Sequence, residues 1–119
     1  MILLRDATQD DLSFITSSWM QSYYPQSNLS FEDYKHYQNK LVKNILKNSI
    51  NTVACDETDN NLIFGYIIHD MYINEPVIHY LYVKALYRRM GIAKALIGEV
   101  MGNNHEYYIY THQPEKNSI

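Results

Sequence analysis

The run Val77-Ile78-His79-Tyr80-Leu81-Tyr82-Val83 limits the fold more than any other part of the chain. β-branched, aromatic and aliphatic residues dominate it, and these suit a pleated, buried surface better than a helix. It predicts a strand buried on at least one face. After a turn, Ile92–Met101 offers Ile92, Ala95, Leu96, Ile97 and Val100 for burial as a helix, stopped by Gly102-Asn103-Asn104. Tyr107–Thr111 reads as another strand. Strand, helix and strand at this spacing make a βαβ unit, whose strands run parallel through a right-handed crossover.

The preceding chain reads differently. Ile2–Arg5 is a short strand, and Thr8-Gln9-Asp10-Asp11 resembles a capping box with acids in the first helical turn. Leu12, Ile15 and Trp19 recur at helical spacing up to Tyr23-Tyr24-Pro25, where the proline ends the helix. Ser30-Phe31-Glu32-Asp33 opens a second helix carrying Phe31, Tyr34, Gln38, Leu41, Val42, Ile45 and Leu46 on its apolar face. Its lysines, Lys35, Lys40, Lys43 and Lys47, read as a solvated face. Thr52–Asp56 and Leu62–Asp70, joined by Thr58-Asp59-Asn60-Asn61, form a hairpin. The expected class is α/β, more strictly mixed α+β, in the order β-α-α-β-β-β-α-β. The sheet is mostly antiparallel with one parallel pair, in a single domain over residues 1–119.

The turn into the last helix carries the chemistry. A helix start presents unpaired backbone N–H groups and the positive end of its dipole, so it attracts anions. Here it is preceded by Arg88 and Arg89, in a chain whose only other arginine is Arg5. The planar fork of arginine suits phosphate. Gly91 permits an unusual φ and a close approach to the backbone, and Ala93 is small for the same purpose. Arg88 to Lys94 thus form a pyrophosphate cradle.

Arg88-Arg89-Met90-Gly91-Ile92-Ala93 resembles the Arg/Gln-x-x-Gly-x-Gly/Ala signature of the GNAT superfamily of N-acetyltransferases, placed between a strand and a helix as that family has it. The opening Leu4-Arg5-Asp6-Ala7-Thr8 through Leu12 is also similar to a GNAT first strand and helix, and the likeness covers most of the chain. The resemblance implies a GNAT-like fold and acetyl-CoA as cosubstrate. It implies pantetheine along the backbone of Leu81, Tyr82 and Val83, and pyrophosphate on the loop Arg88, Arg89, Met90, Gly91, Ile92, Ala93 and Lys94. It also implies an acceptor site near the end of the first helix, at Trp19, Tyr23 and Tyr24. The expected reaction is direct attack of a primary amine, from a small molecule or a protein, on the thioester.

The chain departs from the family's pattern in two ways. It is expected to lack the usual C-terminal helix and two further strands, so a second copy or a protein partner is expected along the open sheet edge. The strand before the loop holds no carboxylate to act as general base, leaving His79 and His112 as candidates. Each has another reading, His79 as a hydrogen-bonded sheet residue and His112 as a loose terminal one. Trp19 reads equally as a core residue.

Composition excludes other classes. A net charge of −3 and the lack of a basic-aromatic face argue against a nucleic-acid partner. No apolar run reaches membrane-spanning length, and one cysteine, Cys55, suits a reducing, cytoplasmic setting. The histidines show no metal-ligand spacing. Ser17-Ser18-Trp19, Tyr82-Val83-Lys84 and Arg88-Arg89-Met90-Gly91-Ile92-Ala93 together also resemble short chains of tailed bacteriophages, a likeness that implies the alternative of a non-catalytic virion or assembly component.

Overall fold

A computed structural model describes residues 2–23, 30–72, 75–102 and 109–110. Strand β1 (Ile2–Asp6) leads through a 3-10 turn (Gln9–Asp11) into helix α1 (Leu12–Tyr23). Helix α2 (Phe31–Asn48) follows, then strands β2 (Ile50–Asp56), β3 (Ile63–Tyr72) and β4 (Glu75–Val83). Helix α3 (Ile92–Met101) returns the chain to β5 (Ile109–Tyr110). The five strands lie in sequence order; the first four are antiparallel, and β5 runs parallel to β4.

Local chemistry explains the helix ends. The Ser30 hydroxyl accepts the Asp33 N–H at 3.3 Å and caps α2. At the first turn the Asp11 carboxylate reaches back and accepts the Thr8 N–H at 2.7 Å and the Thr8 hydroxyl at 3.0 Å. It also accepts two guanidinium N–H groups of Arg5, at 2.6 and 3.2 Å. The bidentate pair ties β1 to the start of α1. Gly91 and Gly102, both at positive φ, bound α3.

The sheet separates two apolar layers. Ile15, Trp19, Val42, Leu46, Tyr66 and Tyr80 pack together between the sheet and helices α1 and α2. Ile67, Ile78, Leu81, Val83, Leu96 and Val100 form the layer under α3. Alternation along β4 divides its residues between the layers, with Tyr80 and Tyr82 on the α1 side and Leu81 and Val83 on the α3 side. The Trp19 ring stacks on Tyr80 at 4.9 Å, and Tyr66, wholly buried, shares hydrogen bonds with the Ser18 hydroxyl at 2.7 Å and the Ile15 carbonyl at 3.1 Å.

The structure departs from the expected pattern at several places. Leu41, expected on the apolar face of α2, is 40% exposed, because Val42 and Leu46, one turn apart, supply the contact. Ala93 packs into the α3 layer, so its small size also meets a packing demand. Both β3 and β4 carry a bulge. Ala54 faces Gly65 while Cys55 faces Ile63, leaving Phe64 extra; Ile68 faces Tyr80 while His69 faces Ile78, leaving His79 extra.

Candidate coenzyme-binding loop and acyl-transfer site

The site is built where β4 hands over to α3. After Val83 the chain makes a 3-10 turn (Ala85–Tyr87) held by the Tyr87 N–H on the Lys84 carbonyl at 2.9 Å. The Lys84 N–H donates to the Phe64 carbonyl at 2.9 Å and anchors the turn to β3. Arg88 then folds back, and its Nε donates to the Val83 carbonyl at 3.0 Å. Arg88 therefore braces the mouth of the loop, with its terminal N–H groups left for a ligand, while Arg89 is exposed.

Arg89 has φ of 66° and Gly91 has φ of 83°. A non-glycine residue in the left-handed region costs of order 1–3 kcal/mol and persists where surrounding structure enforces it. The backbone is thus committed to an unusual path at the start of α3. The first bond of that helix runs from the Ala95 N–H to the Gly91 carbonyl at 3.0 Å, and no side chain caps the N-cap residue. The N–H groups of Ile92, Ala93 and Lys94 precede that bond and have no partner within the helix. A Cβ placed on Gly91 meets no protein atom within 4 Å, so the space in front of these donors is open to a ligand. No acidic residue stands in the first turn to compete for the dipole, and the Lys94 side chain is exposed there. Uncapped N–H groups, open space and nearby guanidinium groups fit a pyrophosphate.

The described residues of β5 pair only with Val77 and Ile78 of β4. The bulge at His79 follows immediately, and Leu81, Tyr82 and Val83 continue beyond it. On the opposite side Gly65 lets β3 approach β4, since a Cβ there would collide with the Tyr82 carbonyl oxygen.

Of the catalytic candidates, His79 sits at the bulge, 8% exposed, with its ring edge-on to Tyr72 at 6.5 Å. Its neighbour His69 shares a hydrogen bond between Nε2 and the Thr52 hydroxyl at 3.1 Å. Burial pushes the His69 imidazole below its ordinary value, against the opposing pull of Glu99 and Asp70. His112 and Tyr24 lie outside the described residues, as does the side chain of Tyr23. Trp19 is 1% exposed and sealed in the core. Lys84 was missed in the sequence: its Nζ lies over the Phe14 ring at 5.0 Å, on the α1 side of β4, a pairing that no local pattern signals.

A family model, described as an acetyltransferase (GNAT) domain, matches residues 20–114. The chain belongs to the GNAT acetyltransferase family. Solved structures share the GNAT fold at low identity. A protein assigned as an acetyl transferase from Pyrococcus furiosus aligns with a TM-score of 0.72 and 15% identity, over 98% of this chain and 85% of that one. A GNAT-family acetyltransferase from Staphylococcus aureus aligns at 0.56 and 16% identity, over 85% of this chain and 64% of that one. AAC(6')-Iy, solved with the bisubstrate analogue CoA-S-monomethyl-acetylneamine, aligns at 0.62 and 15% identity, over 98% and 82%. No curated protein sequence matches the chain. Among the described residues no helix is long and apolar enough to cross a membrane.

Proposed function

We propose that this GNAT chain transfers an acetyl group from acetyl-CoA to a primary amine. The observation that carries the reading is the uncapped start of α3 behind the left-handed Arg89 and Gly91, at the end of a bulged strand. The N–H groups of Ile92, Ala93 and Lys94, with the guanidinium groups of Arg88 and Arg89, would hold the pyrophosphate. Leu81, Tyr82 and Val83 would bond the pantetheine through their backbone, although the Arg88 Nε already occupies one lone pair of the Val83 carbonyl. When bound, acetyl-CoA supplies the activated acetyl group as a thioester. The unprotonated acceptor amine attacks the carbonyl carbon directly. The new C–N bond forms, the C–S bond breaks, and the thiolate departs and takes up a proton. A backbone N–H near Val83 stabilises the negative charge that develops on the carbonyl oxygen. His79, at the bulge, accepts the proton that the amine loses.

Two measurements test this. A thermal-shift titration with acetyl-CoA, with adenosine as control, should give a saturable shift for acetyl-CoA alone. A ligand at ~100 times its Kd stabilises by about 2.7 kcal/mol. The Arg88→Ala/Arg89→Ala double variant should lose most of the shift, and unchanged affinity would remove the loop from the site. His79→Gln should retain the shift but lower turnover by roughly 10²-fold; full turnover at every pH would exclude His79 as the base. A wild-type chain that shows no shift at all would favour the non-catalytic reading, in which the fold acts through a protein partner.

A further inference from the structure

A second cleft lies between α1 and α2, with a volume of about 680 Å³, and shares no residue with the loop from Arg88 to Lys94. Among the described residues its charged lining consists of Lys43 and Lys47, one helical turn apart on α2. Among the described residues no carboxylate lines the cleft and neither lysine has an ion-pair partner. On the facing wall, α1 presents the hydroxyls of Ser13, Thr16 and Ser17, none of them hydrogen-bonded to another described residue. At the same cleft the Asn51 side chain donates from Nδ2 to the Leu46 carbonyl at 3.1 Å, while its Oδ1 is buried and has no partner among the described residues. Leu12, Met20 and Leu46 supply apolar surface for a carbon skeleton.

We infer that this cleft binds a small polyhydroxylated organic anion, its charge held by Lys43 and Lys47 and its hydroxyls meeting those of Ser13, Thr16 and Ser17. The lysines disfavour a cation, and the hydroxyls of Ser13, Thr16 and Ser17 offer hydrogen bonds that a plain hydrocarbon chain would leave unmade. The volume suits a ligand of metabolite size. The cleft is distinct from the coenzyme loop, so the inference does not depend on the acetyl-transfer reading.

The test is an NMR titration of the intact 15N-labelled chain with 6-phosphogluconate, with sorbitol and inorganic phosphate as controls. Saturable shifts should appear in the amides of α1, of α2 and around Asn51, with sorbitol binding at least tenfold more weakly. The exposed lysines can be changed without touching the core, so Lys43→Gln/Lys47→Gln should keep the wild-type circular dichroism spectrum and weaken binding tenfold or more. Absence of saturable shifts, shifts confined to residues 88–94, or wild-type affinity in the double variant would each overturn the site. Equal affinity for sorbitol would overturn the role of the lysines, and equal affinity for inorganic phosphate the role of the hydroxyls.

Discussion

Gly91→Val should abolish the acetyl-CoA thermal shift while leaving a folded chain. Gly91 lies at φ of 83° in open space, so the substitution meets no protein neighbour. Its cost to folding is the left-handed conformation imposed on a β-branched residue, at least about 1–2 kcal/mol. Its cost to binding is larger. A branched side chain would occupy the space in front of the Ile92, Ala93 and Lys94 N–H groups, and relief of the strain would turn those donors away. Equilibrium denaturation in urea measures the first effect and the acetyl-CoA titration the second. A variant that binds as the wild type does would show that these backbone donors do not hold the phosphates. Gly98→Ala, at an exposed glycine within α3 whose Cβ meets nothing within 4 Å, is the control for a side chain added away from the helix start.

Asp11→Ala should destabilise the chain by about 3 kcal/mol near neutral pH, because it strands a largely buried guanidinium. The Arg5 and Asp11 side chains are 19% and 7% exposed, and Arg5 Nε is already buried without an acceptor. The Arg5 guanidinium holds the Asp11 carboxyl below the usual carboxylate range, in spite of its burial, with help from the Thr8 N–H and hydroxyl. The folded-state value therefore lies below the unfolded one. The contribution is complete above the ordinary carboxylate pKa and is lost as pH falls through the depressed value. Urea midpoints of wild type and variant should differ at pH 7 and converge below about pH 4. A gap that persists undiminished at pH 3 would assign the effect to packing. Asp56, the last residue of β2, is also held low by its hydrogen bonds with the Thr58 hydroxyl and N–H, and its loss should matter little.

How far these features are legible in the sequence depends on whether their causes are local. The bounds of α3 agree with the sequence reading because Gly91 and Gly102 mark them in the chain itself. β1, β2 and β4 each begin or end a residue or two beyond the apolar run, since backbone pairing continues past the side chains that signal it. The turn into α3 was legible as a position, because a strand, a glycine and a helix start follow one another along the chain. Its inner division of labour was not. That Arg88 braces Val83 while Arg89 takes the left-handed turn depends on backbone angles that composition does not encode. The bulges at Phe64 and His79 are properties of paired strands, so neither strand's own pattern announces them. The burial of Ala93 and the exposure of Leu41 turn on a few tens of degrees of helix rotation against the sheet.

Ile67 and Ile68 are adjacent in β3, both wholly buried, and they belong to opposite layers. The strand is therefore a common wall with no slack on either side, and a change of volume at one position presses on the helices of the other face through a single peptide thickness. Drift in such a lineage is channelled outward, to the solvent faces of α1 and α2 and to the turns. A library built to diversify this scaffold should leave the middle of β3 untouched and spend its diversity there.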